Sequence, residues 1–158
     1  MDFGDIFSPV VRYSTLRVIP ALAAHYGLYK RYLDCPKAFT QADSDTPCYM
    51  KPPPGMKYPN GKCLKLHKSV YGLKQASRLF NQLLVCFLIS IGFVACPSDT
   101  CLMYLLRGSD ILLIIAIYVD DLLVCASTES LMLLPLLLAL LQTLGCLTGW
   151  LLFASSSI

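Results

Sequence analysis

Two adjacent aspartates, Asp120 and Asp121, sit in "YVDDLL" directly after "ILLIIAI", a run without a single polar side chain. Neighbouring carboxylates repel each other, and leaving either one unpaired at the end of an apolar layer costs several kcal/mol, a cost that a cation offsets. On a regular strand consecutive side chains point to opposite faces, so the pair can act together only at a turn. There, at least one of them can stand beside a third carboxylate from a neighbouring strand. Asp34 is the best candidate for that third group: it ends the stretch "YKRYLDC" and is followed by the chain-breaking Pro36. Three carboxylates form the donor set that two Mg²⁺ ions use in phosphate chemistry, because Mg²⁺ takes hard oxygen ligands and leaves coordination positions for substrate phosphates. A DD pair by itself is more often a turn or a solvated strand end, so the elements around it carry the weight.

Those elements can be read from punctuation and periodicity. "TCLMYLL", the turn "RGSD", "ILLIIAIYV" and "DLLVCAS" read as strands, the last two joined at the aspartate pair. "SPVVRYSTLRVIPALAAHYGL" starts with a Ser-Pro signal, spaces Leu16, Ile19, Leu22 and Ala23 helically, and meets Gly27 as a stop. "KQASRLFNQLLVCFLISIGF" predicts a helix with Leu79, Leu83, Cys86, Phe87 and Ile91 on one face, ending at Gly92. "CLKLHKSV" alternates as a strand, whereas "QADSDTPCYMKPPPGMKYPNGK" is dense enough in Pro, Gly, Asp and Asn to predict only loop and turn. Helices mixed with hairpin-linked strands imply an α+β fold, an antiparallel sheet with helices packed on one face.

Composition sets the outer bounds. The 158 residues suit one domain, but charged residues make up 15% against about 25% in ordinary soluble domains. The chain therefore leans toward burial, a partner surface or a membrane. Its eight cysteines include no C-x-x-C pair, and Asp2 and Asp5 stand where a secretory signal has basic residues. That pattern argues against a disulfide or zinc framework and for reduced thiols in an intracellular protein. The net charge of +3 hides an asymmetry, since seven Lys and Arg lie between Thr46 and Ser98 with no acid among them. Such a segment suits phosphate backbones. Residues 128–158 instead form a Leu-rich tail, of which 131–154 has the length and hydropathy of a membrane span. A small membrane-anchored protein, its basic loop touching anionic lipid, is thus an alternative reading.

In order along the chain, "FSPVVRYSTLRVIPALAAHYGL", "LDCPKAF", "YMKPPPGM", "KLHKSVYGLKQASRLFN", "IGF", "DTCLMY" and "YVDDLL" resemble the reverse transcriptase of copia-type LTR retrotransposons. The likeness runs from Phe7 to about Ser127. It implies a right-hand polymerase palm with partial fingers over 1–127, acting as an RNA-directed DNA polymerase by two-metal nucleotidyl transfer with Mg²⁺, or Mn²⁺ as substitute. Template-primer, dNTPs and the remainder of a Pol polyprotein are the partners it implies, in a cytoplasmic virus-like particle or the nucleus. By the same resemblance Asp34, Asp120 and Asp121 are the catalytic metal ligands, joined by the Cys35 carbonyl. The amides of Lys37 and Ala38 would face the triphosphate, Phe39 would close against the sugar 2′ position, and Gln75 would contact nucleotide or template. Lys65, Lys68, Lys74 and Arg78 would meet nucleic acid.

The chain also departs from the pattern. "DCPKAF" replaces the usual D-V-K-T-A-F, and Pro36 fixes φ and deletes an amide at a site that depends on amides. Phe80 stands where relatives have Trp, and the 128–158 tail replaces a charged helix. These departures lead to the expectation that the chain alone does not polymerise, with a non-catalytic nucleic-acid-binding remnant as a further alternative.

Overall fold

The computed structural model describes residues 7–56, 59, 61–108 and 110–132. Its most apolar strands lie at the centre. β6 (Asp110–Tyr118) and β7 (Asp121–Ala126) form the expected hairpin, and Leu113–Ile117 and Leu122–Ala126 are buried throughout. β5 (Asp99–Arg107) pairs with the far side of β6, Arg107 standing opposite Asp110, β4 (Val94–Cys96) flanks β5, and β1 (Tyr29–Asp34) flanks β7. The sheet order is β1-β7-β6-β5-β4, antiparallel throughout. β2 (Asp43–Met50) and β3 (Leu64–Lys68) make a separate two-stranded sheet.

Two helices pack on the large sheet. The N-terminus of α1 (Tyr13–His25) is tied to Asp99 by the Arg12 amide and the Thr15 hydroxyl. Within α2 (Ala76–Ser90) the Asn81 side chain meets the Cys101 thiol. Asp99 and Cys101 are two residues apart on β5, so both helices sit on one face of that strand. This is the α+β arrangement expected. A 3-10 turn (Ala38–Gln41) and the short helix α3 (Glu129–Met132) complete the described chain. The seven described cysteines are free thiols, with Cys35, Cys101 and Cys125 buried.

Two local expectations need correcting, and one short strand went unread. α2 buries Leu79, Phe80, Leu84 and Leu88, whereas Leu83 and Cys86 are exposed. Its sequence is apolar almost all round, so periodicity alone could not select the face. Asp43–Met50, read as loop, is a strand. Its register with β3 breaks between Asp43 and Cys48, the interval that holds Pro47, so the missing N–H falls in a bulge rather than in the ladder. The three-residue β4 had no signal of its own. Most of the 131–154 span lies outside the described residues, among which no helix is long and apolar enough to cross a membrane.

Candidate active site

Tyr118 pairs with Asp121, which leaves Val119 and Asp120 as a two-residue hairpin loop. Val119 has φ of 56°, the positive value that a tight hairpin turn demands at its first central position and that a β-branched residue adopts only under strain. The turn lifts Asp120 out of the strand and returns Asp121 to the ladder. Asp121 then stands directly opposite Asp34 on β1, and the Cys35 amide donates to the Asp120 carbonyl at 3.0 Å. Cross-strand partners share a face with their Cβ atoms about 5 Å apart, a placement in which like charges repel. Asp34 and Asp121 are exposed and Asp120 is half-buried.

Among the described residues no three His, Cys, Asp or Glu side chains close around a point as a metal cage. The donor set nevertheless fits Mg²⁺, which is typically held by one or two carboxylates and completed by water and substrate phosphate. Two facing, water-accessible carboxylates with a third at the adjoining turn supply that kind of open site. The Cys35 carbonyl lies beside them but already accepts the Ala38 amide at 3.1 Å. The Ala38 N–H is thereby engaged within the chain, and Lys37 takes a left-handed φ of 59° to make this turn.

The neighbour that sequence reasoning missed is Tyr71. Burial, then the charges of Asp120 and Asp34, push its phenol above the ordinary tyrosine range, against an opposing contact from the Ala38 amide. Its ring packs on Phe39 with centroids 4.5 Å apart, and Phe39 in turn meets the edge of Phe80 at 6.4 Å. Phe39 thus links the buried core to a ring beside the carboxylates. Ser69, fully buried, holds this link in place by donating its hydroxyl to the Phe39 carbonyl and its amide to Ala42 O at 2.9 Å. The signal for Tyr71 was its place in "YGLKQA", before Gly72 with φ of 96° and just ahead of α2.

The other expected residues have surroundings of their own. Gln75 turns toward β2, its Nε2 donating to Thr46 Oγ1 at 3.1 Å and meeting Cys48 Sγ at 3.5 Å. Arg78 is ion-paired with Asp45, and Lys68 with Asp43 at 2.7 Å. Two acids just outside the acid-free interval therefore compensate two of its cations. Lys65 is exposed on β3, and Lys74 is exposed in the turn before α2.

A profile for reverse transcriptase (RNA-dependent DNA polymerase) matches residues 1–139, nearly the whole chain. The chain belongs to the reverse transcriptase family. Among its relatives, the retrovirus-related Pol polyprotein from transposon RE1 of Arabidopsis thaliana is 38% identical over 135 residues, 84% of this chain and 9% of that protein. The corresponding polyprotein from transposon TNT 1-94 of Nicotiana tabacum is 35% identical over 133 residues, 83% of this chain and 10% of its own length. A putative transposon Ty5-1 protein of Saccharomyces cerevisiae is 37% identical over 100 residues, 62% of this chain and 32% of that protein. This reverse transcriptase sequence thus spans about a tenth of the plant polyproteins it matches. No solved structure matches it.

Proposed function

We propose that the chain forms the palm and part of the fingers of a retrotransposon polymerase, with Asp34, Asp120 and Asp121 holding two Mg²⁺ ions for nucleotidyl transfer. The observation that carries this reading is the register of Asp34 with Asp121, with Asp120 at the adjoining turn. Bound divalent ions would supply charge stabilisation and activation of the attacking hydroxyl. The remaining chemistry belongs to the chain. Asp34 and Asp121 project from one face of a rigid sheet, so their separation is fixed before substrate arrives, and preorganisation of this kind supplies much of the acceleration of phosphoryl transfer. Phe39, braced by Phe80 and Ser69, carries the ring that would close against the sugar, with the Tyr71 ring packed directly on it. Template-primer and dNTPs are the substrates, and the work is done inside the cell as part of a Pol polyprotein.

The test is Mn²⁺ binding to the whole chain, followed by electron paramagnetic resonance, with and without dTTP. Wild type should bind Mn²⁺ weakly and more tightly when dTTP is present. Asp34→Asn and the double variant Asp120→Asn, Asp121→Asn should each lose at least tenfold in affinity, the usual scale for removing a charge partner of about 1.4 kcal/mol or more. Equal Mn²⁺ binding by all three proteins would refute the proposal.

A further inference from the structure

We propose that the chain pairs with a second copy of itself across the outer edge of β1, in a two-fold register centred on Tyr32. Hydrogen-bond direction defines this edge. The Cys35 amide donates inward to the Asp120 carbonyl, and β1 follows β7 in unbroken antiparallel register, so the odd-numbered residues from Tyr29 to Cys35 turn their backbone groups toward β7. Lys30, Tyr32 and Asp34 turn theirs outward, and among the described residues no strand pairs there. Both ends of this outward row are closed. The Leu28 amide donates to the Ala23 carbonyl at 2.8 Å, and Pro36 has no N–H to give. The row therefore has Tyr32 at its middle.

Charge selects both the occupant and the register. The side chains of Lys30, Tyr32 and Asp34 share one face of β1 and are exposed, Tyr32 by 81%. Edge strands ordinarily use charge to repel other edges, but here the two ends of the row carry opposite signs. Two antiparallel copies, related by an axis normal to the sheet between their Tyr32 residues, set Lys30 of each opposite Asp34 of the other. Tyr32 then meets Tyr32, and the outward backbone groups meet as hydrogen-bonded pairs. Opposite charges and aromatic rings directly across a ladder stabilise it, and like charges destabilise it. The other two-fold registers lose this match. Centring on Arg31 opposes two guanidinium groups, centring on Lys30 or Asp34 opposes two like charges, and centring on Leu33 sets Lys30 against Pro36, which cannot complete the pair.

The pairing also relieves a repulsion within each copy. Asp34 stands opposite Asp121 on β7, and the Lys30 ammonium of the second copy brings a cation to that pair of carboxylates. Association thereby occupies a carboxylate assigned above to Mg²⁺. That consequence rests on the polymerase proposal, whereas the pairing itself does not.

The experiment is sedimentation velocity of the full chain at low salt from about 1 to 100 μM, a range suited to a small interface, with EDTA present so that no metal competes for Asp34. Failure here and failure of the Mn²⁺ test are therefore separable. Wild type should pass from monomer to dimer as concentration rises. Lys30→Asp and Asp34→Lys should each weaken the dimer by about tenfold or more, since the two-fold repeats every repulsion. An equimolar mixture of these two variants should recover it, because each then faces the charges it lacks. Tyr32→Pro, which removes an outward N–H and leaves the bonds to β7 in place, should abolish it. A wild type still monomeric at about 100 μM, wild-type affinity in Lys30→Asp with circular dichroism unchanged, or a mixture of folded variants that fails to associate would each overturn the proposal. Association through apolar surface elsewhere is told apart by its indifference to the charge reversals.

Discussion

The Asp99 carboxylate on β5 accepts the Arg12 amide at 2.9 Å and the Thr15 hydroxyl at 2.6 Å, and so caps α1, a helix with no cap of its own. A negative group at a helix N-terminus satisfies free amides and complements the dipole. Burial raises the Asp99 pKa, but bonds from Thr15 and from the Arg12 and Cys101 amides outweigh it and hold the group below the usual carboxylate range. A depressed pKa contributes stability that is present above the unfolded value, near pH 4, and lost as pH falls through the folded value. Asp99→Asn should thus cost about 1–3 kcal/mol at pH 7, and its deficit relative to wild type should shrink as urea midpoints are measured down to pH 3. A deficit that stays constant with pH would show that the charge plays no part.

Val119 tests whether the aspartate turn is strained. Alanine keeps the penalty of a positive φ and glycine does not. Val119→Gly should therefore be more stable than Val119→Ala by about 1 kcal/mol, the reverse of the order expected in a strand interior. Thermal melts of the two variants decide it.

Tyr71 should report on its carboxylate neighbours. Subtracting the alkaline absorbance titration of Tyr71→Phe from that of wild type isolates its phenol, which should ionise above the ordinary range. Asp120→Asn should move that ionisation down, and so should Mg²⁺ in the wild type, because each removes negative charge facing the phenol. No movement in either would place Tyr71 outside the carboxylate field.

Asp45 restrains a cation. Asp45→Asn frees Arg78 from its ion pair, so binding of a fluorescently labelled single-stranded dT₁₂ should tighten at low salt and its log–log salt slope steepen by about 0.7. An unchanged slope in an anisotropy titration would mean that Arg78 does not reach phosphate.

The sequence made some of this legible through abrupt contrasts. Two carboxylates between uninterrupted apolar runs mark the β6–β7 hairpin, and Gly27 and Gly92, both with positive φ, end the two long helices where expected. Where contrast is absent the reading fails. α2 has apolar residues on every side, so its buried stripe of Phe80, Leu84 and Leu88 is decided by what it meets on the sheet. Pro47 and the acids around it disguise β2, which survives only because its bulge takes up the proline. The pairings of Asp43 and Asp45 with Lys68 and Arg78 join residues far apart in the chain, so a count of charges by interval could not reveal them. Asp34 was legible as a partner of the pair, but its seat opposite Asp121 depends on β1 joining the sheet beside β7, which local pattern does not encode.

Among the described residues β1 occupies the edge of the large sheet, with β7 as its one strand neighbour there. The halves of the carboxylate cluster consequently form on different clocks. A two-residue hairpin such as β6–β7 closes in about 1–10 μs, bringing Asp120 and Asp121 with it. Asp34 must wait for a contact that spans most of the chain, and such closures are entropically costly and slow. During synthesis the ribosome releases β1 long before β7 exists, so its backbone edge and the exposed Tyr29 and Tyr32 stay unpartnered through that interval. Any folding intermediate with the hairpin formed and β1 still free would hold the aspartate pair without its third member. Competence for chemistry would then arrive with the last strand to dock, not with the collapse of the core.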